Sequence, residues 1–196
     1  MKAPAQIETT RLSLMQPQAA DAASIFERYA SDPDVTRFLG WPRHESVADT
    51  QAFLRFSAVE WERWPAGPYL IRSRSDRRLL GGTGFGFEGP QQSATGYVLA
   101  TDAWGRGYAT EALGAVIEVA RRIGVARLYA LCHPQHRASW RVLEKCGFVR
   151  DGNWTKQAEF PNLSPGVQQD VLCYAAVFDA EAFRGLTAAA ADERRQ

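Results

Sequence analysis

The stretch from Trp104 to Gly124, WGRGYATEALGAVIEVARRIG, constrains the fold of this 196-residue chain more than any other. From Tyr108 onward, Ala109, Ala112, Leu113, Val116, Ile117 and Ala120 recur at the spacing of one helical face. Arg121 and Arg122 fall in the last turn, and Gly124 makes a natural stop. Gly105 and Gly107 precede the first turn, so bare backbone stands where a helix leaves its first amides without intrahelical partners. Such a start can cradle a phosphate, with Arg106 adding a cation. It can equally be an ordinary glycine-rich turn with a solvated arginine. Residues 93–100 (SATGYVLA) before it and 126–132 (ARLYALC) after it read as strands, which makes this region α/β.

Around this unit the remaining elements fall into order. Residues 11–15 (RLSLM) alternate like a strand and 19–29 carry helical periodicity. A turn-rich segment over 31–45 holds Phe38 and Trp41, after which Ser46 and Asp49 stand at capping-box spacing before a second helix that ends near Pro65. Residues 69–73 (YLIRS), 78–87 (RLLGGTGFGF) and 93–100 predict an antiparallel meander. Residues 137–146 predict a short helix closed by Gly147, 148–152 (FVRDG) a strand, and 167–178 a long final strand. We read a single domain over residues 7–180, with 185–196, small and charged, as a flexible tail.

Composition excludes several functions. The formal net charge of +1 argues against nucleic acid or an anionic membrane as the main partner, so any anion site must be local. Cys132, Cys146 and Cys173 are odd in number and scattered through apolar contexts, which suits reduced thiols in a cytoplasmic protein. The N-terminal residues lack an apolar signal core, and no apolar run approaches the roughly 20 residues that span a bilayer. "CHPQH", with His133 and His136, has no second ligand cluster, and Pro134 breaks any helical face, so no metal site is expected. "GFGFEG" over 84–89 satisfies the dinucleotide pattern G-x-G-x-x-G. Pro90 and a polar loop follow it where a helix is required, so it reads as a strand end whose glycines permit a bulge or a close backbone approach.

The order of these pieces, with "WGRGYATEA" and "HRASWRVLEKCGF" (136–148), resembles the GNAT superfamily of N-acyltransferases, specifically the RimJ/RimL-type ribosomal-protein N-acetyltransferases, over nearly the whole chain. That resemblance implies an α/β (α+β) fold with a mixed, mostly antiparallel sheet of about seven strands flanked by helices and splayed at an acetyl-CoA site. It implies acetyl-CoA as cofactor and direct transfer to a primary amine, on a protein N-terminus or a small molecule, with homodimers common in the family. The family's pyrophosphate segment corresponds to Trp104, Gly105, Arg106, Gly107, Tyr108 and Ala109, with Thr110 next in the first turn; Trp104 replaces the superfamily's Gln or Arg, as in this branch. The backbone at Val98 or Leu99 is implied to lie nearest the thioester.

For proton transfer, the position where the superfamily often has an acidic Tyr is Leu143. Ser139 is therefore implied as acid or as hydrogen-bond donor to the leaving sulfur, with helix capping or packing its structural alternative. His136 stands where Asn is usual and is implied to touch the cofactor. The Glu often found before Gly-Tyr in this branch is missing from "SATGY", which leaves Glu88 as the candidate base, through a water, or simply as a solvated strand-end carboxylate. Glu111 complements the helix dipole, and direct transfer requires no nucleophilic cysteine. Trp41, Trp61, Trp64, Trp154 and Phe160 fall in or beside segments that wall the family's acceptor groove, mostly as core. The competing reading is a catalytically weak acyl-CoA-binding module on the same fold.

Overall fold

The computed structural model describes residues 1–179, apart from the side chains of 153–156. The expected tail, and the Trp154 side chain, lie outside the described residues. Strands β1 (Gln6–Glu8) and β2 (Leu12–Met15) form a hairpin. A helical run then follows in three pieces: a 3-10 turn at Ala19–Asp21, α1 at Ala22–Ile25 and a wider π turn at Phe26–Ala30. Helix α2 (Pro33–Thr36) starts where the Asp32 carboxylate accepts from the amides of Asp34 and Val35, with Pro33 in the first helical position. Helix α3 (Val47–Arg63) begins with the expected capping box, in which Asp49 accepts from the Ser46 amide at 2.9 Å.

The meander is β3 (Pro68–Ser73), β4 (Leu79–Gly89) and β5 (Gln92–Leu99); α4 (Tyr108–Arg122), β6 (Arg127–Cys132), α5 (Arg137–Lys145), β7 (Val149–Glu159) and β8 (Gln168–Val177) follow among the described residues. The eight strands lie in the order β1-β2-β3-β4-β5-β6-β8-β7. Every pairing is antiparallel except β5 with β6. The sheet has one strand more than the sequence predicts, because β1 is too short and exposed to show alternation. Helix α2, at four residues, is likewise too short for a helical period. Strand β7 extends well past residue 152, and the register shifts between Arg150 and Gly152 and between Trp154 and Ala158 interrupt its alternation.

Helices cover both faces of the sheet's first half. Leu113 and Val116 of α4 are fully buried in one cluster with Leu12, Tyr69, Ile71 and Leu80. On the other face Ile25, Tyr29 and Leu54 pack with Leu70 and Leu79. Neighbouring residues of β3 thus feed opposite clusters, which explains why YLIRS shows no polar side.

The glycines of β4 let strands approach. "GFGFEG" lies within β4 and its turn, with a register shift between Phe87 and Gly89, and does not open a helix. A Cβ on Gly81 would stand 1.9 Å from the Val98 carbonyl oxygen, and one on Gly84, at φ +139°, 2.6 Å from that of Gly67. Gly86 has its nearest neighbour, the Ala94 Cβ, at 3.9 Å. Gly81→Ala should therefore lower unfolding free energy by about 3 kcal/mol in chemical denaturation, whereas Gly86→Ala should stay within about 0.5 kcal/mol of the parent.

Candidate active site

The sheet opens at its one parallel joint. Strands β5 and β6 pair only over Gln92–Ala94 and Arg127–Tyr129. The Gln91 carbonyl accepts from the Arg127 amide, and the Leu99 carbonyl accepts from the Trp104 indole at 2.7 Å on the side away from β4. Because backbone groups alternate along a strand, the odd-numbered residues of β5 direct theirs toward β6 and the even-numbered ones toward β4. The amides of Tyr97 and Leu99 consequently face the gap, while Val98 is turned to its partner Gly82. Beyond the last pair lies a cavity of about 680 Å³, whose walls include Gly96, Tyr97, Val98, Cys132, His136 and Ser139.

At the far end of β5 the chain turns into α4. Gly105 (φ +71°) and Gly107 (φ +77°) both occupy the left-handed region, which explains the glycine at each position. Gly107 is the N-cap and supplies no side-chain cap, so the amides of Tyr108, Ala109 and Thr110 open the helix with no side chain of the capping residue on them. Trp104 is half exposed, its indole N–H tied to Leu99. Two ion-pair groups brace this turn. Asp102 accepts from Arg28 at 2.7 Å and Arg78 at 2.6 Å, and the Arg28 hydrogen bond leads the effects that hold its carboxyl below the usual range. Glu111 accepts from the Thr9 hydroxyl (2.6 Å), the Arg11 amide (2.8 Å) and the Arg11 guanidinium (2.6 Å). Arg11 also donates to the Arg106 carbonyl at 2.9 Å and lies over the Tyr108 ring, 4.7 Å from its centre. Glu111 thus does more than complement the dipole: it staples the β1–β2 turn to the glycine loop. Nothing in the spacing of Thr9, Arg11 and Glu111 announces this.

Across the gap, past the C-terminal end of β6, stands the start of α5. Its N-cap is His136, so Ser139, one turn in, is not the capping residue. The Tyr97 hydroxyl donates to the Ser139 carbonyl at 2.6 Å and lies 3.2 Å from its Oγ. With its one proton given to the carbonyl, the phenol can receive the proton of the Ser139 hydroxyl. Burial pushes the Tyr97 phenol well above its ordinary range, so it stays protonated. Sequence reasoning missed Tyr97 as a partner of Ser139, 42 residues away. The His136 ring stacks on Phe38 at 4.9 Å, and Phe38 also stacks on His133 at 5.0 Å. Burial first, and the neighbouring His133 second, hold His136 below the ordinary histidine value, which leaves it neutral at pH 7.

Glu88 lies elsewhere. Its carboxylate accepts from the Tyr129 hydroxyl and from the Gln92 amide at 2.9 Å, on the β4–β5 hairpin, and it does not line the cavity. Trp61 packs edge-on against Tyr69 and Trp64 stacks on Phe87, so both belong to packing, whereas Trp41 and Phe160 line the cavity. His133 accepts from the Gln135 amide on Nδ1, which puts its proton on Nε2, where Gln169 accepts it at 3.0 Å. All three cysteines are free, and burial pushes each thiol up. Among the described residues no cluster of three or more His, Cys, Asp or Glu could hold a metal ion, and no helix is long and apolar enough to cross a membrane.

A long, thin ligand with an anionic head fits these features. The glycine turn and α4 start present amides that can donate to phosphate oxygens, the β5 edge has amides that an extended chain can use, and the cavity has room for the end of such a ligand. Residues 11–149 match the family model described as an acetyltransferase (GNAT) domain. The chain is 28% identical over 149 residues to the uncharacterized N-acetyltransferase YoaA of Bacillus subtilis (strain 168), covering 74% of this chain and 84% of that protein. Among solved structures it is similar to a GNAT-family acetyltransferase from Bacillus anthracis (TM-score 0.75, 25% identity, 88% of this chain and 98% of that one). It is also similar to RimL, a ribosomal L7/L12 α-N-protein acetyltransferase solved with coenzyme A (TM-score 0.78, 25% identity, 89% and 99%).

The Glu111 staple has a measurable pH signature. Burial alone would raise this carboxyl, but the hydrogen bonds from Thr9 and Arg11 outweigh it and hold the value below 4.5. A depressed folded-state value contributes stability above the unfolded pKa that is lost as pH falls through the folded one. Glu111→Gln should cost about 1–2 kcal/mol at pH 7 in urea denaturation, and the difference from the parent should shrink below about pH 4.

Proposed function

This chain belongs to the GNAT acetyltransferase family, and from that premise we propose that it moves an acetyl group from acetyl-CoA to a primary amine by direct transfer. The observation that carries the reading is the parting of β5 from β6 after Ala94, which leaves a gap-facing β5 edge between the glycine start of α4 and the cavity wall holding Ser139 and His136. Acetyl-CoA, when bound, supplies an acetyl thioester open to attack by a neutral amine. In this reading Gly105, Arg106, Gly107, Tyr108, Ala109 and Thr110 hold its pyrophosphate, with Trp104 bracing the turn through Leu99. The Leu99 and Tyr97 edge of β5 binds the pantetheine arm and gives amide hydrogen bonds to the carbonyl oxygen as charge builds, with Val98 contributing its side chain to the wall.

Ser139 turns its one hydroxyl proton from the Tyr97 oxygen to the departing sulfur, and Tyr97 orients the residue by donating to its carbonyl. The amine arrives largely protonated at pH 7 and must lose a proton before attack. His136 takes that proton, a choice supported by its neutral ring in the same wall as Ser139 and by the engagement of Glu88 outside the cavity. RimL is named for action on a ribosomal-protein N-terminus. For this chain the acceptor is a primary amine of a protein N-terminus or a small molecule, and the protein acts in the cytoplasm.

Ser139→Ala should lower kcat about 10- to 100-fold while leaving the Kd for acetyl-CoA within about threefold, by thiol-release kinetics and calorimetry. Because His136 works deprotonated and burial holds its value below the ordinary 6.5, kcat/KM should fall on the acid side with a midpoint below that of a free imidazole. His136→Gln should lower kcat about 100-fold and abolish that acidic limb; a limb that persists assigns the proton to another group.

A further inference from the structure

We propose, resting on the transfer reading above, that the acceptor is a small primary amine carried on an uncharged aromatic body, rather than a polycation, an amino acid or a peptide. The cavity continues from the gap into a chamber walled by Phe38 and Trp41 of the α2–α3 connection, Phe53 and Phe56 of α3, and Phe160 beyond β7. Rings from three separate parts of the chain meet there. Their total of about 680 Å³, shared with the reactive end of the donor, is the size of a small-molecule site.

Charge narrows the class further. Among the described residues lining the cavity, Asp49 is the only carboxylate, and there is no Lys or Arg. Asp49 caps the start of α3 through one oxygen, Oδ2, which accepts from the Glu45 amide (3.0 Å), the Ser46 amide (2.9 Å) and the Ser46 hydroxyl (3.1 Å). His44 and His136 are held neutral at pH 7 by burial and add no charge. One carboxylate at the mouth can draw in one ammonium. A polyamine or aminoglycoside would bring further ammonium groups against rings with no second carboxylate among the described lining residues, and an amino acid would bring a carboxylate with no Lys or Arg among them to pair it. Phe56 is 56% exposed although it lines the cavity, and an aromatic guest entering there would cover it.

The test uses the full-length protein with saturating acetyl-CoA and follows thiol release. The amines are 2-phenylethylamine and tryptamine, set against spermidine, kanamycin, glycine and a tetrapeptide with a free N-terminal serine. We expect kcat/KM for the two aromatic amines to exceed all the others at least about tenfold. Equal or faster transfer to spermidine, kanamycin, glycine or the peptide overturns the acceptor class and leaves acetyl transfer standing. Acetyl-CoA binding by calorimetry without thiol release for any amine overturns the transfer reading and this inference with it. Phe56→Ala, at an exposed position where folding is not at risk, should raise the KM for tryptamine about five- to tenfold with the acetyl-CoA Kd unchanged. An unchanged KM removes the aromatic mouth from the proposal.

Discussion

Strands β5 and β6 part after three paired residues, and the rest of the site depends on that parting. In a fully paired sheet the Tyr97 and Leu99 amides would be spent on a neighbouring strand, and no chamber would separate Gly96 from Ala130. The parting is sustained from both sides. Strand β5 is held by long antiparallel pairing to β4, where Gly81 allows the backbones to close up, and β6 is held by β8 along its whole length. Helix α4 fills the crossover with a fully buried apolar face, so the joint is anchored by packing where it lacks hydrogen bonds.

The two sides of the gap are then fixed by groups brought from elsewhere in the chain. Arg28 and Arg78 hold Asp102, and Thr9 and Arg11 hold Glu111, so the glycine turn is braced on both flanks by charge-assisted bonds. Across the gap Tyr97 reaches from β5 to the first turn of α5, and Phe38 stacks on both histidines of the β6–α5 connection. Rigid backbone flanks a chamber whose outer wall is contributed by side chains of α3 and its preceding segment. The braced gap and the aromatic chamber are thereby built from different elements.

How much of this was legible beforehand varies residue by residue. The α4 face, the glycines at 105 and 107, the Ser46–Asp49 cap and the strand character of "GFGFEG" are all readable, because each is a local pattern with a local physical cause. Family resemblance drew attention to Ser139 and His136, which the structure gathers in one wall, and to Val98 and Leu99, of which backbone alternation directs only the Leu99 amide to the gap. Glu88 stands out in the sequence by its strand-end place and by the missing Glu before Gly96-Tyr97. Its engagement with Tyr129 and Gln92 depends on where β6 lies, which no spacing within β4 can reveal.

By itself, the sequence determined the elements whose signals repeat within a single turn or strand: the helix period of α4, the left-handed glycines before it, the capping box and the order of strands and helices. Only the tertiary structure decided which distant groups meet. Glu111 finds Arg11 from 100 residues away, Tyr97 finds Ser139 from 42, and Phe38 finds His133 and His136 across the molecule. Periodicity is set by backbone geometry, which every residue shares with its neighbours. Pairing across the fold is set by how sheet twist, strand register and helix packing bring separate surfaces together, and that information belongs to the whole chain at once.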